Sequence, residues 1–301
     1  MGNPESKPLP SPEFDTPWRT MNWGKKDEIE QKLRNFRLHN PNVQFVRILL
    51  VGEVGAGKSS FINSVNNAFQ RRITSRALVD GTGGTSFTKV YKTYHIEGED
   101  GSPLPFVLND IMGIEATQSG AHEKDIIKAL HGFLEEGYKL NPASPVSPND
   151  PGHRSNPALE DQTFCLVNII AADKVSLMHN EVIVKLKKIR QAATDLNIPQ
   201  VVIVTRPDFA CPLVKDKLQK IYTSKKIKEK RSVLRKLLPY PQKKENESLP
   251  YIYEEHRSAL VKWKERLQDW EGGREKRGTP SLVPRRDHLA TPRSAARLVV
   301  P

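Results

Sequence analysis

The sequence predicts an α/β fold, a mostly parallel sheet flanked by helices and incomplete at its C-terminal edge. Three features of the 301 residues lead there. A strand, a glycine loop and a helix follow one another from Val43 to Asn66. Strand-like and helix-like runs then alternate through most of the chain, the pattern of parallel sheets with crossover helices. Finally, Asp110 is the acid that stands where a further strand stops.

The first feature is the most specific. Val43 to Val51 is nearly continuous in apolar residues, interrupted by Gln44 and Arg47, which suits an interior parallel strand. Gly52-Glu53-Val54-Gly55-Ala56-Gly57-Lys58-Ser59 then matches G-x-x-x-x-G-K-S/T. Phe61, Ile62, Val65, Ala68 and Phe69 follow at helical spacing, one apolar stripe facing a sheet. Glycines let backbone N–H groups turn inward around phosphate oxygens, and the helix N-terminus adds the positive end of its dipole. Lys58 is expected to reach the β- and γ-phosphates and the Ser59 hydroxyl to hold Mg²⁺. Ser60 completes the phosphate-binding set that begins at Gly52, so the chain is expected to bind a nucleotide.

The other elements follow in order. Residues 1 to about 20 carry Pro4, Pro8, Pro10, Pro12 and Pro17 and few apolar side chains, and are expected to be disordered or extended. Lys25 to Leu38 reads as a short helix ended by Asn40-Pro41. Arg71 to Ser86 is a polar, glycine-bearing loop. Thr88 to Ile96 and Leu104 to Leu108 are strand-like and are expected to pair as an antiparallel hairpin at the sheet edge. His122 to Tyr138 reads as a helix, and prolines 142, 145, 148, 151 and 157 predict a long irregular loop from Asn141 to Gln162. A strand over Thr163 to Ile170, a basic helix over Glu181 to Leu196 and a strand over Gln200 to Thr205 complete the alternation. The nucleotide-binding domain is expected over residues 21–230, a partly helical extension over 231–271 with its helix at Glu254 to Trp270, and a basic disordered tail over 272–301.

Charge and cysteine usage narrow the function. Lys215 onward holds 23 Lys and Arg against 11 Asp and Glu, the whole of the net charge of +12. The residues before Lys215 are therefore neutral, and no specific nucleic-acid partner is expected. Cys165 and Cys211 lie in or beside apolar runs without metal-ligand spacing, and read as reduced thiols of a cytosolic protein. There is no run of about eighteen apolar residues to cross a membrane, and no charged-then-apolar leader pattern. Met1-Gly2-Asn3-Pro4-Glu5-Ser6 fits the N-myristoylation pattern, which with the basic tail would give weak membrane association; the alternative is an unmodified terminus.

Asp110-Ile111-Met112-Gly113 has the D-x-x-G form of nucleotide switches. Asp110 is expected to hold Mg²⁺ through a water, and the Gly113 N–H to meet the γ-phosphate. A switch threonine should also bind Mg²⁺ from the loop before; Thr88 is preferred and Thr85 is the alternative. Thr205-Arg206-Pro207-Asp208 resembles the base-reading N/T-K-x-D. A carboxylate that accepts two N–H bonds from guanine rejects adenine, whose edge lacks that donor pair. Arg206 departs from the usual lysine, and Pro207 stiffens the loop. Many GTPases place a water-orienting glutamine directly after D-x-x-G; here Ile114 stands there, and Glu115 after it would be repelled by phosphate. Arg71, Arg72 and Arg76, on the loop before Thr88, are the nearest candidates for an arginine stabilising developing charge in cis. The expectation is switch loops around Thr88 and Gly113, and slow hydrolysis unless a homodimer or protein partner assists.

Together these residues are similar to more than a generic GTPase. MNWGKKDEIEQKLRNF, RILLVGEVGAGKSSFINSVNNAFQ, GGTSFTKVYKTY, LPFVLNDIMGIE and CPLVKDKLQKIYTSKKIKEK resemble the interferon-induced protein 44 family, its short 44-like members above all. The resemblance runs from Pro17 to about Lys230. Beyond it no matching final strand is evident, and Ser258-Ala259-Leu260, a mimic of the last GTPase motif, sits inside a helical pattern. The resemblance implies a P-loop, G-domain-like fold, GTP or GDP with Mg²⁺ as ligands, a cytoplasmic location and a link to innate antiviral responses. Two other readings stay open. One is an interaction scaffold on a P-loop fold with little or no hydrolysis; the other is an ATP-using P-loop enzyme, against which Asp208 speaks.

Overall fold

The computed structural model describes residues 11–21, 23–38, 40–77, 89–117, 119–239, 241 and 296–298. Six strands, β1 (Val46–Val51), β2 (Lys92–Glu97), β3 (Pro103–Asp110), β4 (Cys165–Ala171), β5 (Gln200–Thr205) and β6 (Ala296–Leu298), form one sheet in the order β2-β3-β1-β4-β5-β6. Neighbours are parallel except β2 and β3, which make the antiparallel edge hairpin that the sequence predicts. The helices are α1 (Lys26–Arg34), α2 (Lys58–Gln70), α3 (Glu123–His131), α4 (Asn180–Asp195), α5 (Pro207–Ala210), α6 (Pro212–Asp216) and α7 (Lys225–Leu237).

The near-continuous apolar character of the inner strands has a direct cause: both faces of the sheet are covered. Leu49, Val51, Leu166 and Ile170 pack with Ile126 and Leu130 of α3, Leu186 and Ile189 of α4 and Leu234 of α7. Val46, Leu50, Val167 and Ile169 pack on the opposite face with Ile62 and Phe69 of α2 and with Phe36. Every residue of β4 is buried. The sheet is thus the middle of three layers, and its strand order is that of a G domain, with the glycine loop leaving the central β1.

Three expectations need correction. The helix predicted over His122 to Tyr138 ends at His131, because Gly132 takes a left-handed conformation with φ +84°. The N–H groups of Gly132 and Phe133 then donate to the carbonyls of Ala129 and Lys128 and close the helix. The domain boundary expected at Lys230 falls inside α7, whose Leu234 is fully buried, as is Leu238 just beyond it. Buried Arg190 of α4 donates to the carbonyls of Leu238 and Pro239 at 2.9 and 3.0 Å, fastening the end of α7 to the domain. Three residues of the expected disordered tail pair with β5 as β6, in the register Gln200↔Ala296 to Val202↔Leu298, because the edge of β5 offers unpaired backbone groups, and the sheet edge expected to be incomplete gains a sixth strand.

Of the two alternatives for the proline-rich N-terminus, its described part, from Ser11, takes the extended one and forms an ordered strap. Phe14 N donates to Thr223 O at 2.8 Å and Trp18 N to Tyr222 O at 2.9 Å. Lys220 meets the Glu13 carboxylate at 2.6 Å. The Trp18 ring stands edge-on to Tyr222 at 5.3 Å, and the Arg231 guanidinium lies 5.3 Å from its centre. Lys228 takes the same position over Phe14, at 4.5 Å. Prolines forbid a helix here but not an extended strap, and the cations of α7 provide the partners for its two aromatic rings. Trp18→Ala is expected to lower stability by about 1–3 kcal/mol, read as a lower urea midpoint; an unchanged midpoint would show that the strap adds nothing to the fold.

Candidate nucleotide site

Where β1 ends, the chain must turn sharply beneath its neighbour. A Cβ at Gly52 would stand 2.1 Å from the Ile169 carbonyl oxygen of β4, so only glycine permits the turn. Gly55 and Gly57 adopt φ of +71° and +94°, the left-handed geometry by which successive N–H groups form an anion-binding concavity. α2 begins at Lys58, the expected phosphate-reaching residue. Its buried ammonium donates to the carbonyls of Gly52 and Glu53 at 3.3 and 3.2 Å. Burial pushes the Lys58 pKa below the usual lysine range, opposed by the carboxylates of Asp110 and Glu53. Ser60 stands exposed in the first turn of α2.

The β1–β3 register sets Asp110 directly beside Leu50. The Ser59 hydroxyl, first turn of α2, donates to Asp110 Oδ2 at 2.9 Å. Two of the three residues predicted to hold metal are therefore in contact, from the start of α2 and the end of β3; Thr88 and its alternative Thr85 lie outside the described residues. Among the described residues, no group of three His, Cys, Asp or Glu side chains is placed to hold an ion.

Gly113 lies against the glycine loop: a Cβ on it would come within 2.8 Å of the Val54 backbone nitrogen. The next residue is stitched to the same loop, Ile114 N donating to Gly52 O at 3.0 Å and Val54 N to Ile114 O at 3.3 Å. The Ile114 side chain is buried in the α3–α4 core. Lys185 of α4 holds the continuation by donating to Glu115 O at 2.7 Å and Thr117 O at 3.3 Å. The position where a water-orienting glutamine is common thus belongs to the core.

The third predicted segment also joins the site. The Thr205 hydroxyl, at the end of β5, donates to Ala56 O of the glycine loop at 2.6 Å. Arg206 has a left-handed backbone, pairs with Asp173 at 2.9 Å and lies 4.5 Å from the centre of the Phe209 ring. Asp208 stands partly exposed in the first turn of α5. The arginines considered for charge stabilisation lie elsewhere. Arg71 follows the last residue of α2, about 20 Å of helix from Lys58, near Glu30 and Glu99. Arg72 donates to Gln70 and Arg76 to Glu97, both along the α2–β2 connection.

Sequence reasoning missed Lys174. It follows β4 with no motif around it, yet its ammonium lies 3.5 Å from Val54 O. The same atom is 3.3 Å from where a Cβ on Gly55 would stand. Glu53 is its nearby counterpart: burial pushes that carboxyl above its usual range, opposed by Lys174, His179 and Lys58. Gly52→Ala would drive a methyl into Ile169 and should cost about 2–3 kcal/mol or more; a thermal midpoint equal to the wild type would contradict this account of the turn.

No protein-family model matches the chain. Among solved structures, the signal recognition particle receptor SRb-GTP/SRX complex from Chaetomium thermophilum is 14% identical, with a TM-score of 0.25 over 62% of this chain and 89% of that one. Curated proteins are much more similar. Human interferon-induced protein 44 is 35% identical over 207 residues, 68% of this chain and 46% of the relative. The mouse protein of that name is 33% identical over 201 residues, 66% of this chain and 47% of the relative. Human interferon-induced protein 44-like is 30% identical over 193 residues, 64% of this chain and 42% of the relative. The chain spans less than half the length of these relatives. It belongs, on this similarity, to the interferon-induced protein 44 family.

Proposed function

We propose that the chain binds guanine nucleotide with Mg²⁺ on the glycine-loop face and turns it over slowly. The observation that carries this reading is the Ser59–Asp110 contact beneath a loop closed by glycine and lysine. A hydroxyl from the first turn of α2 and a carboxylate at the end of β3, so paired, suit the protein's share of a Mg²⁺ site whose other ligands include phosphate and water. Bound there, Mg²⁺ would neutralise phosphate charge. Lys58 would exchange its loop carbonyls for phosphate oxygens, and Gly113 would present its N–H at the loop. Thr205 fastens the base-reading segment to the loop, leaving Asp208 to accept the two guanine N–H donors. Arg206 is held by Asp173 and Phe209, so it shapes the segment rather than reproducing the usual lysine. The relatives are named for induction by interferon, and we place this chain in the same setting, a cytoplasmic innate antiviral response.

Lys58→Ala should weaken GTP and GDP alike by about ten- to a hundredfold, since it removes a charge-assisted contact common to both. Asp208→Asn should act on the base alone. It is expected to lower guanine affinity on the order of a hundredfold and to shift preference toward xanthine, whose 2-oxo group accepts from the new amide. Equal loss of every base by Asp208→Asn in equilibrium titrations would end the guanine assignment.

With Ile114 in the core, no described side chain takes the water-orienting place after D-x-x-G. Intrinsic turnover should therefore be on the order of 10⁻⁴ to 10⁻³ per second, rising only if a second copy or partner supplies the missing group. Phosphate release measured at low and high protein concentration checks this, and fast turnover at the lowest concentration contradicts it.

A further inference from the structure

We infer that Lys174 is a second phosphate-binding cation, supplied in cis by the segment after β4; the inference rests on the nucleotide reading and adds to it a residue that no motif assigns. Its backbone is fixed on both sides. Ala172 N donates to Thr205 O at 2.8 Å, Lys174 N to Ala171 O at 3.0 Å, and Leu177 N to Lys174 O at 2.8 Å. Asp173 between them is tied to Arg206 of the base-reading segment. From this fixed base the Lys174 side chain reaches the glycine loop, its ammonium beside Val54 O and over Gly55. A Cβ at Gly55 would press on that ammonium at 3.3 Å, so glycine there keeps the approach open.

Charge gives the lysine its purpose. Without it, among the described residues the loop itself carries Lys58 against the carboxylates of Glu53 and Asp110, a net negative surface offered to an anionic ligand. Asp110 has a use, since it faces a metal. Glu53 has none in phosphate binding, and its charge would repel the ligand. Lys174 offsets Glu53 and turns the loop's outer side toward phosphate. A polyphosphate passing through the loop would then meet ammonium groups from two directions, Lys58 from within the fold and Lys174 from its rim. Phosphate would also be a stronger partner for that ammonium than the single carbonyl it reaches at 3.5 Å.

The test is calorimetric titration of the full chain with GMP, GDP, GTP and inorganic pyrophosphate, for the wild type, Lys174→Ala and Lys174→Arg. Lys174→Ala should bind GDP, GTP and pyrophosphate about ten- to a hundredfold more weakly, with a smaller loss for GMP. Lys174→Arg should retain most of the affinity. Both variants should melt like the wild type without ligand. Wild-type affinity for GDP and pyrophosphate in Lys174→Ala overturns the inference and leaves the nucleotide reading intact. A lowered ligand-free melting point, with equal losses in the alanine and arginine variants, overturns it in favour of a structural role. If the wild type binds pyrophosphate but shows no guanine preference, the base assignment fails while pyrophosphate still decides Lys174. A wild type that binds neither overturns both.

Discussion

Everything at the candidate site depends on how closely β1 can leave the sheet beside β4. Gly52 makes that exit possible, since the Ile169 carbonyl occupies the space of any side chain. Once the turn is fixed, α2 must begin at Lys58, and the parallel register delivers Asp110 to Ser59. The Thr205–Asp208 segment, predicted to read the base, is fastened to the same turn through the Thr205 hydroxyl and Ala56. Three stretches separated widely in sequence therefore converge because a single loop has no side chain at its first residue. The apolar layers on either side of the sheet keep that geometry rigid by burying β1 and β4 on both faces.

The fixed loop also limits what can move. Ile114 would have to leave the core and release two backbone bonds to Gly52 and Val54 before the segment after Gly113 could swing away. Withdrawing a buried isoleucine and breaking those bonds costs on the order of 2–5 kcal/mol. A nucleotide-driven change at Gly113 must draw that much from differential contacts with the ligand. This is a more constrained element than the switch loop that D-x-x-G alone suggests.

What was legible in the sequence was whatever local chemistry dictates. The glycine loop, the apolar inner strands, the β2–β3 hairpin and the acid ending β3 each carry their reason within a few residues. The rest depended on partners remote in sequence. Gly132 ended α3 where the apolar stripe ran on, because a stripe does not report a left-handed residue inside it. Phe14 and Trp18 read as part of a proline-rich tail until α7 supplied cations for their rings. Asn63, an unremarked polar residue of α2, holds Arg76 and Ala77 through their backbone N–H groups. Lys174 was invisible for the same reason: only the fold of β4 beside β1 carries it to Val54.

The central claim is that this cradle selects guanine nucleotide in the presence of Mg²⁺. Competition against fluorescent GDP on the purified chain tests it most directly, run with Mg²⁺ and again with a chelator. The account predicts displacement by GTP and GDP, negligible displacement by ATP at about a hundredfold excess, and weaker binding once Mg²⁺ is removed. ATP displacing the probe as well as GTP, with no change on chelation, would contradict it.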